Sequence, residues 1–176
     1  MSDSRRVFAV DPGTTESAWV ELGESGLPVE FGKELHVMLL GRVQKLWTDD
    51  TVLVIEMVAS YGMPVGAEVF ETCTWIGRFE QASRIGSRRM TRAQVKSTLC
   101  HQTKGVNDAV LRQRVIDIYG GKEKAIGCKK TPGPLYGVKA DVWQALALAW
   151  AWRSSQLWNH DADAYRVEEP VCKVLP

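Results

Sequence analysis

Thr51-Val52-Leu53-Val54-Ile55-Glu56-Met57-Val58 is the stretch on which the fold turns. Apart from its first residue and Glu56 it is wholly apolar, and it shows no alternation of polar and apolar positions. Such a run reads as a strand covered on both faces, which places it centrally in a sheet flanked by helices. Its one ionisable residue, Glu56, is costly there unless it is paired or binds a metal.

Toward the N-terminus, His36–Trp47 carries Val37, Leu39, Leu40, Val43, Leu46 and Trp47 near the helical spacing. Before it lie three short strand patterns, Arg5–Asp11, Ser17–Leu22 and Leu27–Glu34, with turns at Pro12-Gly13 and Gly23-Glu24-Ser25-Gly26. Strands joined so tightly predict an antiparallel meander. Toward the C-terminus, Ala59–Gly66 is a Gly- and Pro-marked loop and Ala67–Gln81 a helix. Ser83–Arg89 reads as a short strand, and a helix follows from the N-cap Thr91 to Leu99. A further helix spans Asn107–Tyr119 and stops at Gly120-Gly121. Cys128–Gly137 has too many breakers to be regular, and Asp141–Leu157 is the strongest helix of the chain. The expected class is α/β: a mixed five-stranded sheet, three strands antiparallel and the rest parallel, with helices on its faces.

A length of 176 residues fits one domain, expected over residues 1–157 with a polar C-terminal tail over 158–176. No apolar run reaches the ~18 residues that a membrane-spanning helix needs, and no secretory signal is evident, so a cytoplasmic protein without a membrane partner is expected. Cys73, Cys100, Cys128 and Cys172 form no CxxC pair, which disfavours a zinc knuckle and fits free thiols. The net charge of +1 hides a segregation: residues 1–77 carry 5 basic and 12 acidic side chains, residues 78–139 carry 14 and 4. A basic stretch of that kind suits a phosphate-binding face as well as a solvated surface.

Three carboxylates lie in unusually apolar company. Asp11 ends the first strand, Glu56 sits inside the central one, and Asp141 opens the last helix. If the two strands are neighbours, Asp11 and Glu56 share one sheet end, and a helix crossing the sheet brings Asp141 to them. Three hard oxygen ligands without His or Cys favour Mg²⁺ or Mn²⁺. Two such ions ~3.5–4 Å apart support phosphodiester cleavage. Each residue also has a structural reading: Glu56 paired with an arginine, Asp141 as an N-cap. Asp11-Pro12-Gly13-Thr14-Thr15 also resembles the first phosphate loop of the sugar-kinase, actin and heat-shock-chaperone ATPases. Those bind ATP between two such domains, and a one-domain length disfavours a nucleotide cofactor.

Asp11-Pro12-Gly13 after a strand, Ile55-Glu56 in a second strand, and Lys139-Ala140-Asp141-Val142-Trp143-Gln144-Ala145-Leu146-Ala147-Leu148-Ala149 in a closing helix resemble the RuvC family of Holliday junction resolvases. The likeness runs from about Arg5 to Ala151 and is greatest to the short bacteriophage members. It implies an RNase H-like fold and a Mg²⁺-dependent endonuclease, with Mn²⁺ able to substitute and two ions per site. It further implies a homodimer that nicks four-way DNA junctions symmetrically, in the bacterial host cytoplasm if phage-encoded. Asp11, Glu56 and Asp141 would be catalytic and hold the ions. At position 144, where the family usually has a fourth carboxylate, stands Gln144, which offers a carbonyl oxygen but no charge. Asp108 is an alternative donor, although at a helix start it reads better as a cap. The resemblance also places Tyr61 and Met63 against junction bases. It makes Phe70, Trp75 and Phe79 a dimer face, and Arg84, Arg88, Arg89, Arg92, Lys96, Lys104, Arg112, Lys129, Lys130 and Lys139 phosphate contacts.

Overall fold

A computed structural model of the chain describes residues 5–46, 50–60, 62 and 64–164, with side chains as far as 156. Its strands are β1 (Arg6–Pro12), β2 (Glu16–Leu22), β3 (Pro28–Leu35), β4 (Thr51–Met57) and β5 (Ser87–Thr91). They form one mixed sheet in the order β3-β2-β1-β4-β5. β1, β2 and β3 are the antiparallel meander, whereas β4 runs parallel to β1 and β5 parallel to β4. The apolar 51–58 stretch is therefore interior, as its composition requires. The helices are α1 (His36–Val43), α2 (Ala67–Ala82), α3 (Arg92–Cys100), α4 (Asp108–Ile118), the single turn α5 (Lys122–Ala125) and α6 (Val142–Ala164).

The pleat sorts the sheet into two cores. Val7, Ala9, Ala18, Val20, Val52 and Val54 pack with α3, α4 and α6, where Val95, Leu111, Val115, Leu146 and Ala149 are buried. The alternate positions Phe8, Val10, Trp19, Leu53 and Ile55 pack on the other face with Leu39 and Val43 of α1 and Ile76 and Phe79 of α2. Because successive strand residues point to opposite faces, Asp11 and Glu56 fall on the α6 side, in line with Ala9 and Val54. Gly13 closes the β1–β2 turn through its N–H to the Glu16 carbonyl at 3.1 Å, and a Cβ there would meet that oxygen at 2.5 Å. Tyr119 donates to the Gly26 carbonyl at 2.7 Å and accepts from Trp150 Nε1 at 2.9 Å, pinning the β2–β3 turn to α4 and α6. Burial pushes the Tyr119 phenol up to about 12, so it stays a donor.

Several boundaries differ from those read in the sequence. α1 ends at Val43 rather than Trp47, because the Lys45 N–H turns back to the Arg42 carbonyl once Leu39 and Val43 have reached the core. The short strand begins at Ser87, not Ser83: Gly86 adopts φ 72° and Ser83 Oγ bonds its carbonyl, so that stretch is a turn. α5 fits in a single turn after Gly121, with Ala125 buried. α6 runs on to Ala164 and takes in the start of the expected tail. Among the described residues no helix is long and apolar enough to cross a membrane.

The face expected for dimerisation is corrected at one residue. Phe79 is fully buried in the α1–α2 core, Trp75 is half-buried with its ring 4.4 Å from that of His36, and Phe70 is 62% exposed. Phe79→Ala is accordingly expected to cost ~3–5 kcal/mol in urea unfolding. Phe70→Ala should stay within ~0.5 kcal/mol of the parent. Equal stability of the two variants would contradict this packing.

Candidate active site

Strand register builds the centre of the site. β1 and β4 pair in parallel with Val10 opposite Ile55, so the next residues, Asp11 and Glu56, lie side by side where both strands end. Glu56 also pairs with Met90 of β5, and α3 begins immediately beyond that strand. Thr91 caps α3 in a full capping box: its hydroxyl accepts from the Gln94 N–H, and its own N–H donates to Gln94 Oε1 at 2.8 Å. Arg92, the first helical residue, is thereby fixed at the same sheet end. The last member comes from far along the chain. Ala140, at φ 43°, turns the backbone into α6, and Asp141 sits just before that helix with Gln144 in its first turn.

Arg92 is the hub of these side chains. Its Nη1 donates to Glu56 at 3.3 Å, and its Nη2 donates to both Asp108 and Gln144. The Asp141 carboxylate is held by Lys33 Nζ of β3 at 2.6 Å. The Asp141 backbone carbonyl starts α6, accepting from the Gln144 and Ala145 N–H groups. Asn107, not Asp108, caps α4, its side chain accepting from the Val110 N–H, which leaves the Asp108 carboxylate to Arg92. Among the described residues no three of His, Cys, Asp and Glu converge into a finished metal cage.

Burial governs the electrostatics. The Asp11 carboxyl is pushed up to about 7, first by burial and then by Glu56, with Asp141 and Asp108 adding to the repulsion and Arg92 opposing it. Burial also raises Glu56, against the pull of Arg92 and Lys96. Arg92 is raised as well: burial works against its charge, but Glu56, Asp108 and Asp11 outweigh it. Two like-charged groups that resist ionising side by side are what a divalent cation relieves, and the donors are all hard oxygens. On both counts the residues fit Mg²⁺ or Mn²⁺.

The structure divides the remaining candidate residues. Lys96 lies on α3 close enough to Glu56 to act on its charge, and Lys139 is exposed two residues before Asp141. Arg112 of α4 covers the Trp143 ring at 4.7 Å, beside the start of α6. Lys104, Lys129 and Lys130 are exposed on loops. Arg89 is engaged by Glu80 of α2, while Arg84 and Arg88 are exposed near the opposite end of β5. Arg92, read in the sequence as a phosphate contact, lies inside the carboxylate cluster. Tyr61 and Met63 lie outside the described residues. Lys33 had no signal in the sequence, since nothing local to β3 points toward residue 141.

A pH dependence follows for the metal-free protein. Asp11 has a folded pKa of about 7 against 3.8 for the free group, so the folded state holds a proton that the unfolded chain releases. Its stabilising effect is full below pH 4 and is lost as the pH rises through 7. In EDTA, Asp11→Asn should remove that loss and melt several degrees above the wild type at pH 8, at ~2–4 °C per kcal/mol. Scanning calorimetry between pH 5 and 8 checks it; identical pH profiles for the two proteins would refute it.

No protein-family model and no curated protein sequence matches the chain. Solved structures do. RuvC of Thermus thermophilus aligns with a TM-score of 0.62 at 13% identity, covering 88% of this chain and 96% of its own. The structure of T. thermophilus RuvC in complex with Holliday junction substrate aligns with a TM-score of 0.62 at 13% identity, covering 87% of this chain and 96% of that one. The chain has the RNase H-like fold of RuvC.

Proposed function

We propose that the protein is a divalent-metal-dependent endodeoxyribonuclease that resolves four-way DNA junctions by paired nicks, acting as a homodimer in the cytoplasm. The observation that carries this reading is the pair of partly buried carboxylates, Asp11 and Glu56, side by side at one end of a RuvC-like sheet with Asp141 arriving from α6. The bacteriophage type rests on the sequence resemblance alone. The RuvC structure holding a junction supports branched DNA as the substrate class.

Asp11 and Glu56 would hold the metal, with Asp141 reaching it on release from Lys33. A bound Mg²⁺ or Mn²⁺ supplies an activated water and neutralises the leaving oxygen. The chain supplies the rest. Lys139 and Arg112, both near the α6 start, bind backbone phosphates and hold the scissile one in line. The carboxylates, kept half-dry by Ala9, Val54 and α6, carry their charge in a medium where each contact is strengthened. The expected products carry 5′-phosphate and 3′-hydroxyl ends.

One observation favours a second reading. Arg92 already satisfies Glu56 and Gln144, which suits a protein that binds junctions without cutting them. A broader flap or branched-DNA nuclease is the third. Asp11→Asn, Glu56→Gln and Asp141→Asn should each lower cleavage of a synthetic four-way junction in Mg²⁺ by at least ~10³-fold while leaving junction binding intact. Full activity in all three overturns the nuclease site, and an inert wild type in both Mg²⁺ and Mn²⁺ selects the binding protein. Flap, hybrid and linear duplex substrates in the same assay set the substrate class. Lys139→Ala should weaken binding of all junctions alike and reduce the salt slope by ~1; an unchanged slope, measured by fluorescence anisotropy, would remove Lys139 from the interface.

A further inference from the structure

Four carboxylates lie within electrostatic reach of one another at this site, Asp11, Glu56, Asp108 and Asp141, and three of them are already engaged by cations of the chain itself. Arg92 binds Glu56 and Asp108, and Lys33 binds Asp141. Fully ionised, the six groups sum to two negative charges, which one divalent ion cancels. A second ion would leave the same excess as positive charge beside Asp11 and Glu56, where burial makes unbalanced charge expensive. Arg92 cannot relieve it by giving up a proton, because a guanidinium remains charged throughout the working range.

We propose that the site takes a single divalent cation per chain and that the Arg92 guanidinium is its second positive centre, set where a phosphate oxygen of the substrate can receive it. The inference rests on the nuclease reading and specifies its site. Gln144 supports it by chemistry and by aim: its carbonyl oxygen accepts from the same Nη2 that binds Asp108. An amide there orients the guanidinium and adds no charge for a second ion, so Gln144 serves Arg92 rather than a metal. The capping box at Thr91 fixes the root of the side chain, and the acceptors Glu56, Asp108 and Gln144 fix its plane. A guanidinium carries five N–H donors, and these three acceptors leave donors over for a phosphate.

The opposing account is that Arg92 only fills the place of a metal and leaves when ions bind. Mn²⁺ is the probe that separates them. Crystals of the wild-type protein in Mn²⁺, alone and with a four-way junction, are measured at the manganese absorption edge. One ion per site with Arg92 still on Gln144 is the expected result. A second ion within ~4 Å of the first, or Arg92 turned away, overturns the inference, as does a site with no ion at all.

In solution, bound Mn²⁺ counted by electron paramagnetic resonance should be one per chain, after subtracting the surface ions retained by Asp11→Asn/Glu56→Gln. The count should rise to two in Arg92→Gln/Gln144→Glu, with folding of each variant checked by circular dichroism. Gln144→Glu alone keeps the arginine and should still bind one; two ions there would show that position 144, not Arg92, sets the number. Failure of the nuclease reading looks different: no DNA is cut, while the single ion and the seated Arg92 remain and the ion count stands.

Discussion

Two carboxylates side by side in a half-dry place are a liability, and most of the architecture around them answers it. Asp11 and Glu56 are neighbours because β1 and β4 run parallel in register, and they share a face because the pleat gives both the parity of Ala9 and Val54. Glu56 suppresses the ionisation of Asp11, and burial suppresses that of both. A positive group has to stand close by whether or not a metal is present. β5, the capping box at Thr91 and the start of α3 deliver Arg92 there. The start of α4 delivers Asp108 and the start of α6 delivers Gln144 to satisfy the rest of that guanidinium.

What was legible in the sequence was local, or periodic over a long stretch. The 51–58 run announced an interior strand because no polar position interrupts it but Glu56, and Pro12-Gly13 and Gly23 to Gly26 punctuated the meander. Thr91 was recognisable as a cap by its residue type at the helix start, and the structure adds the box with Gln94. Asp108 was misplaced by a single position: Asn107 holds the cap, and that shift turns a helix end into part of the site. The pairing of Glu56 with an arginine was a foreseeable class of contact, yet which arginine depended on the β4–β5 register, and Gly86 moved that strand along the chain. Lys33 against Asp141 spans nearly the whole domain and follows only from assembled geometry.

The basic excess of residues 78–139 reads differently once each charge has an address. Part of it is engaged within the chain: Arg89 on Glu80, Arg92 among the carboxylates, Arg114 on the Leu99 carbonyl. Lys104, Lys129, Lys130 and Lys139 are exposed on loops. A count of basic residues thus overstates the surface that phosphates can see, because an arginine held by an acidic neighbour adds little to the outer field.

The dependence of the site on α6 has a consequence for how the chain comes into being. Synthesis proceeds at ~5–20 residues per second, and long-range contacts wait for their partners. Asp11, Glu56 and Arg92 leave the ribosome well before Asp141 and Gln144, and α6 also closes the core over Val7, Ala9, Ala18 and Val20. Until that last helix docks, the carboxylate pair has its arginine but neither Gln144 to orient it nor Asp141 beside it. An unfinished chain therefore holds the pieces of the site without the site.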